Sequence, residues 1–288
     1  KQMKKEKTGL VLEGGGVRGA YTAGALSWLA EQGINFDYNV AISAGAVYLA
    51  VHLSGETKMG HEMSTGFAVA PENVGVKALL RCRHLVDGDT IFNYYLKEKT
   101  GFRTKKLRES DLQMEMGLYD LKKGRTVYFN NHDLDDDMTL LRACCSLPIA
   151  SEIVDFHGRK LLDGGITKMI PVERALEQGC KKCLIITTKP ASYKRKPASK
   201  FVLFLMSLAY RKYPSVKRDY RVRHLNYYKQ IGLVDRLVKE KKALHIFPSS
   251  SIKVSRFKGD PERCQQLYDL GYQDMQSRKQ EILEFLKG

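Results

Sequence analysis

A run of glycines between a strand and a helix constrains this sequence more than any other feature. The run at 14–19 (GGGVRG) follows the short apolar stretch at 9–13 and precedes a segment with apolar residues at helical spacing. Glycines let a ligand approach the backbone closely, and several N–H groups at a helix N-terminus then face one space. The turn therefore predicts a site for an anion within a strand–turn–helix unit.

The rest of the chain alternates between strand and helix signals. Short apolar runs bounded by turn residues predict strands at 9–13, 38–42, 126–130, 153–156, 160–162, 183–188 and 243–247. Helices are predicted at 20–32, 44–54, 138–145, 172–178 and 261–285, with a basic, tyrosine-rich helical segment at 201–242. This alternation predicts a layered α/β fold with a mostly parallel central sheet and a basic helical insertion before the last strand.

Two kinds of anion fit the glycine-rich turn. Gly14, Gly16 and Gly19 satisfy the GxGxxG spacing of a dinucleotide-binding turn. That interpretation needs an acid at the end of the second strand, whereas Asp37 precedes that strand. A P-loop is excluded because no Gly-Lys-Ser or Gly-Lys-Thr closes the run. The alternative is the oxyanion that forms transiently when a nucleophile attacks a carbonyl group.

A serine after the second predicted strand supplies a candidate nucleophile. Ser43 lies between a strand and a helix that begins with small residues, which is the layout of a nucleophile elbow. The usual GxSxG pattern is kept at Gly45 and changed at its first position, where Ala41 adds one methyl group. A serine in this place is more often a simple helix N-cap, so the glycine-rich turn upstream is what favours the catalytic interpretation.

The candidate base is a carboxylate rather than an imidazole. Asp163 ends an apolar strand and is followed by Gly164 and Gly165. A carboxylate at a strand end can accept a serine proton, although Asp-Gly is also a common turn sequence. None of the seven histidines lies in a glycine-marked turn at a strand end, so we expect surface or packing roles for them.

Together these three motifs resemble the patatin-like phospholipase family. The glycine-rich turn, the Ser-x-Gly elbow and the Asp-Gly-Gly motif occur in the family's order, and a small-residue helix ending in proline, at 143–148, precedes the aspartate. The strand at 183–188 followed by Lys-Pro, the YRKYP stretch at 210–214 and the LGY sequence at 270–272 are similar to a bacterial branch of the family. The resemblance thus covers nearly the whole chain.

The resemblance implies a three-layer α/β/α sandwich and a serine lipid acyl hydrolase. Ser43 would be the nucleophile and Asp163 the general base of a dyad that hydrolyses carboxylic esters of phospholipids or related lipids through an acyl-enzyme. The predicted oxyanion hole comprises Gly14, Gly15, Gly16, Arg18 and Gly19. Ala41 departs from the family pattern, so the alternative is a catalytically weak member that binds lipid or acyl groups in a regulatory role.

Positive charge is concentrated in one segment. The chain has 48 Lys and Arg against 32 Asp and Glu, and residues 181–242 alone hold 18 basic residues against three acidic ones. A basic segment that also contains the apolar run 201–206 and tyrosines is typical of an enzyme that lies on anionic lipid. The alternatives are a core helix with a solvated basic flank, and nucleic-acid binding, for which no motif is present. We therefore expect a lipid ester substrate, peripheral contact with an anionic membrane through 181–242, and no nucleic acid.

The remaining sequence features concern organisation and location. The 288 residues are expected to form one domain, with a core at about 8–190 and 243–288 and a basic helical region at about 198–242. The longest apolar run, 201–209, is shorter than the roughly 20 residues that cross a bilayer.

One CxxC pair is half of a zinc site, and no secretory signal is visible. We expect reduced thiols, no metal, no cofactor, and a cytoplasmic location with contact at the inner membrane surface.

Overall fold

A computed structural model of the chain describes residues 6–255 and 257–287, in which eight strands form one sheet. The strands are β1 (Thr8–Leu12), β2 (Tyr38–Ile42), β3 (Met114–Asp120), β4 (Arg125–Asn130), β5 (Val154–Phe156), β6 (Arg159–Asp163), β7 (Lys182–Ile186) and β8 (Ala243–Ile246). Their order is β5-β6-β3-β2-β1-β7-β8, with β4 also paired to β3. Five adjacent strands, β3-β2-β1-β7-β8, are parallel, and the pairs that involve β4, β5 and β6 are antiparallel.

Helices cover the connections between the strands. The first half of the chain has α1 (Gly19–Glu31), α2 (Ala44–Leu53), α3 (Thr57–Thr65), α4 (Val76–Cys82), a π-helical segment (Thr90–Lys99), α5 (Lys105–Arg108) and α6 (Thr139–Cys144). The second half has α7 (Val172–Glu177), α8 (Lys200–Ala209), α9 (Ser215–Arg221), α10 (Arg223–Lys239), α11 (Pro261–Ser277) and α12 (Lys279–Lys287).

Both faces of the sheet are covered by helices. Along β1, Leu10 and Leu12 face an apolar cluster that includes residues of α1, α2, α6 and α11, whereas Val11 faces a second cluster with α7 and α10. This alternation follows from the two-residue period of a strand, and burial on both faces explains why the parallel strands are almost continuously apolar. The three-layer α/β/α sandwich with a basic helical insertion, α8 to α10, before β8 is therefore confirmed.

The predicted elements differ from the structure at β3, at the C-terminal helix, and between residues 57 and 108, where no helix was predicted. The seven predicted strands lie within two residues of observed ones, but β3 was not predicted. Its sequence contains Glu115, Gly117 and Asp120, which interrupt the apolar pattern and find partners only in the folded chain: Arg174 donates to Glu115 and Arg159 donates to Asp120. The predicted helix 261–285 is also wrong as one element, because it divides at Arg278 into α11 and α12.

The closest helix contact in the core joins α1 to α11. A Cβ added at Gly24 would lie 1.9 Å from the Tyr268 carbonyl oxygen, and one at Gly271 would lie 2.1 Å from the Tyr21 carbonyl oxygen. Any side chain at either position would force the two backbones apart. Since α1 begins directly after the glycine-rich turn, this contact also fixes the turn.

We predict that Gly271→Ala lowers the free energy of unfolding by about 1–3 kcal/mol, because overpacking a helix contact displaces backbone. Gly232 in α10 is the matched control, since a Cβ there meets no atom within 4 Å. Gly232→Ala should raise the free energy of unfolding by up to about 1 kcal/mol through helix propensity. Urea unfolding followed by circular dichroism measures both; equal effects of the two substitutions would contradict the packing argument.

Candidate active site

One edge of β3 is shared by two strands whose carboxyl ends face each other. β2 pairs in parallel with the first half of β3 and ends at Ile42, opposite Gly117. β6 pairs antiparallel with the second half and ends at Asp163, opposite Leu118. β4 occupies the other edge of β3. Because β2 and β6 run toward each other, Asp163 and the residue after Ile42 emerge at the same point.

This junction places Ser43 beside Asp163. The Ser43 hydroxyl donates a hydrogen bond of 2.6 Å to Asp163 Oδ2. The other carboxylate oxygen, Oδ1, accepts a 2.7 Å bond from the Gly165 amide, and both Ser43 and Asp163 are buried. The amide therefore holds the carboxylate in the orientation that faces the hydroxyl.

Ser43 occupies a strained backbone conformation. Its φ of 57° and ψ of −137° lie in a region that residues with a Cβ rarely adopt. Small neighbours make the turn possible: a Cβ on Gly45 would lie 2.8 Å from the Glu13 carbonyl oxygen, and one on Gly14 would lie 2.8 Å from the Ser43 Cβ. The turn has the geometry of a nucleophile elbow, which exposes its central side chain.

Ala41, the departure from GxSxG, lies inside β2. It pairs with Leu12 of β1 and Met116 of β3, and its methyl group is fully buried in the core. The extra methyl group is accommodated by the core rather than by the turn, and Ser43 keeps the elbow conformation beside it.

The amides of the glycine-rich turn divide into two groups. The Gly14 amide donates to the Met169 carbonyl, the Arg18 amide to the Gly15 carbonyl, and the Gly19 amide to the Gly16 carbonyl. Among the described residues, neither the Gly15 nor the Gly16 amide donates a hydrogen bond to another backbone group. Gly16 has a φ of +57°, which glycine adopts without strain.

A buried ion pair lies behind the turn. The Glu13 carboxylate binds the Lys189 ammonium and also accepts a 2.7 Å bond from the Thr188 amide. Burial by itself would raise the pKa of Glu13, but the Lys189 charge and these hydrogen bonds hold that pKa below its ordinary value. Burial lowers the pKa of Lys189, and the Glu13 charge opposes that shift. The sequence gives no signal for this pair, because Glu13 and Lys189 follow two strands, β1 and β7, that are adjacent only in the folded sheet.

Two pockets meet at Ser43. The apolar pocket encloses about 590 Å³ of empty space, open solvent at its mouth included, and is lined by Gly16, Val17, Ser43, Ala44, Val47, Tyr48, Met63, Ala68, Val69, Val74, Val86, Ile91, Phe92, Cys145 and Leu147. The arginine pocket encloses about 300 Å³ on the same basis and is lined by Gly14, Gly15, Gly16, Ile42, Ser43, Leu147, Asp163, Gly165, Met169, Arg195 and Arg223. The two pockets share Gly16, Ser43 and Leu147.

Most of the apolar lining was absent from the sequence prediction. The lining residues between 63 and 92 come from α3, from the segments on either side of α4 and from the π-helical segment. None of these helices was predicted from the sequence. They carry no motif, since their only common property is that they are apolar. In the sequence, Arg195 and Arg223 are distinguished only as members of the basic segment 181–242.

Other predicted positions lie away from Ser43. Asp37 accepts bonds of 2.8 and 2.9 Å from the amide and hydroxyl of Thr8. It therefore lies at the N-terminal ends of β1 and β2, whereas the glycine-rich turn follows the C-terminal end of β1, so Asp37 cannot hold a ribose at the turn. The Arg18 guanidinium lies 6.0 Å from the centre of the Tyr193 ring and lines neither pocket. Among the described residues, no histidine lines either pocket.

Within the described part of the chain, no three His, Cys, Asp or Glu side chains lie close enough together to hold a metal ion. All six cysteines are free thiols.

We predict that Ser43→Gly is more stable to unfolding than Ser43→Ala by about 1 kcal/mol. Both variants lose the hydrogen bond to Asp163, but only glycine relieves the elbow strain, which is worth about 1–3 kcal/mol and is offset by the greater freedom of unfolded glycine. Chemical denaturation of both variants tests this. A Ser43→Ala protein at least as stable as Ser43→Gly would mean that the elbow stores no strain.

Comparison with known proteins identifies the family. The model of the patatin-like phospholipase family matches residues 10–176, more than half of the chain, and a domain of unknown function, DUF6363, matches residues 213–287. The chain is 28% identical over 196 residues to the uncharacterized protein YjjU of Escherichia coli (strain K12), covering 63% of this chain and 52% of YjjU, so it spans about half the length of that relative. The solved structure of VipD from Legionella pneumophila is similar with a TM-score of 0.47 at 13% identity, covering 99% of this chain and 67% of VipD. On the family match, which includes the glycine-rich turn, Ser43 and Asp163, this chain belongs to the patatin-like phospholipase family.

Proposed function

We propose that this protein hydrolyses the carboxylic ester of a lipid, with Ser43 as nucleophile and Asp163 as general base. The observation that carries the proposal is the 2.6 Å hydrogen bond between the Ser43 hydroxyl and the Asp163 carboxylate at the junction of two pockets. A structural N-cap serine would donate to or accept from its own helix, whereas no side-chain capping bond forms at the start of α2 among the described residues.

The proposed reaction needs one proton acceptor and two amide donors. Ser43 Oγ attacks the ester carbonyl while its proton moves to Asp163 Oδ2. The Gly15 and Gly16 amides stabilise the tetrahedral oxyanion, an interaction worth about 3–4 kcal/mol per donor. The intermediate collapses, the C–O bond to the alcohol breaks, and the alcohol leaves with the proton from Asp163. Water then attacks the acyl-enzyme, again giving its proton to Asp163, which returns a proton to Ser43 as the fatty acid leaves.

The apolar pocket favours a long acyl chain as the acid part of the ester. Its lining is almost entirely aliphatic or aromatic, which suits a fatty acyl chain better than a small polar acid. The alternative, a catalytically weak lipid-binding protein, was motivated by Ala41. The strained elbow beside Ala41 favours the hydrolase, because a binding protein has no need to maintain the strain.

An apolar face on α8 favours action at a membrane surface. Phe201, Phe204 and Leu208 are 67%, 57% and 56% exposed and lie along one side of the helix. Exposed basic residues, Lys200 and Arg211, lie next to the two ends of this helix. Apolar side chains flanked by cations suit the headgroup region of an anionic bilayer, in which each cation adds about 1 kcal/mol of binding.

This α8 face lies beside the pocket entrance. The Ile149 amide donates a 2.9 Å bond to the Tyr210 hydroxyl, which ties the end of α8 to the loop that contains Leu147. On the other side of that loop, the Val86 amide donates to the Ala150 carbonyl, and the adjacent α4 also exposes apolar side chains: Val76, Leu79 and Leu80. We propose that these two faces dock on anionic lipid, so that a lipid passes from the bilayer to Ser43. Among the described residues, no helix is both long and apolar enough to cross a membrane.

The catalytic proposal predicts selective labelling by a fluorophosphonate, which reacts with activated serines. Intact mass spectrometry should show one adduct on the wild type and none on Ser43→Ala. Asp163→Asn should slow labelling by about 100-fold or more, because it removes the general base. Ser54→Ala is the control: this buried serine ends α2 and donates only to the Ala50 carbonyl, so its loss should leave labelling unchanged. A folded wild type that forms no adduct would overturn the proposal.

The membrane proposal predicts that Phe204→Ser weakens binding to vesicles that contain phosphatidylglycerol by about tenfold, since it removes an exposed aromatic ring from the docking face. Val238→Ser is the control, because Val238 is also exposed but lies at the opposite edge of the sheet, next to the start of β8. Sedimentation with phosphatidylglycerol and with phosphatidylcholine vesicles measures binding. Equal binding to both lipids, or equal loss in both variants, would rule out this surface.

A further inference from the structure

Arg195 is a buried cation with an unsatisfied hydrogen-bond donor. Arg195 is only 8% exposed. Its Nε atom is buried and has no hydrogen-bond acceptor among the described residues. The guanidinium lies over the rings of Tyr227 and Tyr193, with its Cζ at 4.7 and 5.7 Å from the ring centres. The Tyr228 hydroxyl accepts a 3.0 Å bond from the Arg195 amide and so fixes the backbone. A buried charge that lacks an acceptor costs free energy unless a ligand supplies one.

The nearby carboxylate does not meet this need. The Arg195 charge helps to hold the pKa of Glu13 below its ordinary value, but the two Glu13 oxygens already bind Lys189 and Thr188. Glu13 forms its salt bridge with Lys189, and the Arg195 guanidinium forms no salt bridge among the described residues. The site therefore favours an anion from outside the chain.

A second arginine and a second orphan group lie next to Arg195. Arg223 Nε donates a 2.5 Å bond to the Gly165 carbonyl, and both arginines line the arginine pocket that contains Ser43. Both also line an outer pocket of about 490 Å³ beneath α8, with Lys196, Pro197, Ala198, Val202, Tyr220 and His224. His224 Nδ1 is buried there without a hydrogen-bond partner among the described residues. Two unsatisfied buried side chains in adjoining pockets indicate a polar ligand.

We infer that Arg195 and Arg223 bind a phosphate group carried by the alcohol part of the ester, with the rest of the headgroup in the outer pocket. This inference rests on the proposed hydrolase function, because it places the phosphate relative to a carbonyl group at Ser43. Guanidinium groups match phosphate oxygens in geometry and bind them through charge-assisted hydrogen bonds. The acyl chain then occupies the apolar pocket on one side of Ser43 and the phosphate lies on the other side. The protein thus selects anionic esters over neutral ones.

The test compares a monoacylglycerol with its glycerol-phosphate counterpart of the same acyl chain, both below the concentrations at which they form micelles. The wild type should prefer the phosphate ester by at least tenfold in kcat/KM, which corresponds to about 1.4 kcal/mol. Arg195→Gln should remove most of that preference, mainly by raising KM for the phosphate ester. Lys194→Gln, an exposed neighbour outside both pockets, should change neither substrate. Arg195→Lys keeps the positive charge but loses the planar, paired N–H donors of the guanidinium. It should retain an intermediate preference for the phosphate ester even if Arg195→Gln does not fold.

A binding measurement separates a substrate headgroup from free phosphate. Calorimetric titration of Ser43→Ala should show glycerol phosphate binding more tightly than inorganic phosphate, and glycerol without detectable binding. Binding of inorganic phosphate alone, with no preference for the phosphate ester in turnover, would overturn the headgroup assignment in favour of a free-anion site. A wild type that hydrolyses both esters equally, or an Arg195→Gln variant that loses both equally, would overturn it as well. Failure of the proposed function looks different, since neither ester would then be hydrolysed and no fluorophosphonate adduct would form.

Discussion

The candidate active site depends on the shared edge of β3, where β2 and β6 meet end to end. The meeting is close: a Cβ on Gly164 would lie 2.3 Å from the Gly117 carbonyl oxygen, and one on Gly117 would lie 2.4 Å from Ile42 Cδ1. Glycine at both positions lets the two strand ends approach until a serine and a carboxylate are within hydrogen-bond distance. Because the sheet sets this distance, no flexible loop has to bring Ser43 and Asp163 together, and the ordering entropy is lost once, on folding.

The strain at Ser43 persists because the surrounding structure leaves it no alternative. β2 is paired on both sides and buried throughout, and α2 packs against the sheet immediately after the turn. Behind the turn, the Glu13 amide donates to the Ile186 carbonyl and the Glu13 side chain binds Lys189, so the end of β1 is fixed to β7. A backbone held from both directions can keep the unfavourable φ of 57° at Ser43.

The sequence predicted the separate motifs better than it predicted how the fold brings them together. Strand ends marked by glycine are local signals, and they identified Ser43 and Asp163 because the turns that present these residues need small neighbours. β3 gave no such signal, since Glu115 and Asp120 are stabilised by arginines distant in sequence, Arg174 and Arg159. The apolar pocket could not be predicted for the same kind of reason: its lining is assembled from several segments whose side chains share only hydrophobicity. The ion pair of Glu13 with a distant lysine likewise becomes visible only when β1 and β7 are paired.

The two sides of Ser43 are chemically opposite, and this asymmetry orients an ester. An acyl chain binds more favourably in the apolar pocket than in water, and a charged alcohol part binds more favourably beside the arginines. An ester bound the other way round would lose binding free energy at both ends. Gly165 links the second side to catalysis: its amide donates to Asp163 Oδ1, and its carbonyl accepts from Arg223 Nε. An anion that draws Arg223 toward itself therefore acts on the same residue that orients the base. In the proposed mechanism, recognition of the leaving alcohol and placement of the proton acceptor would thus be coupled through Gly165.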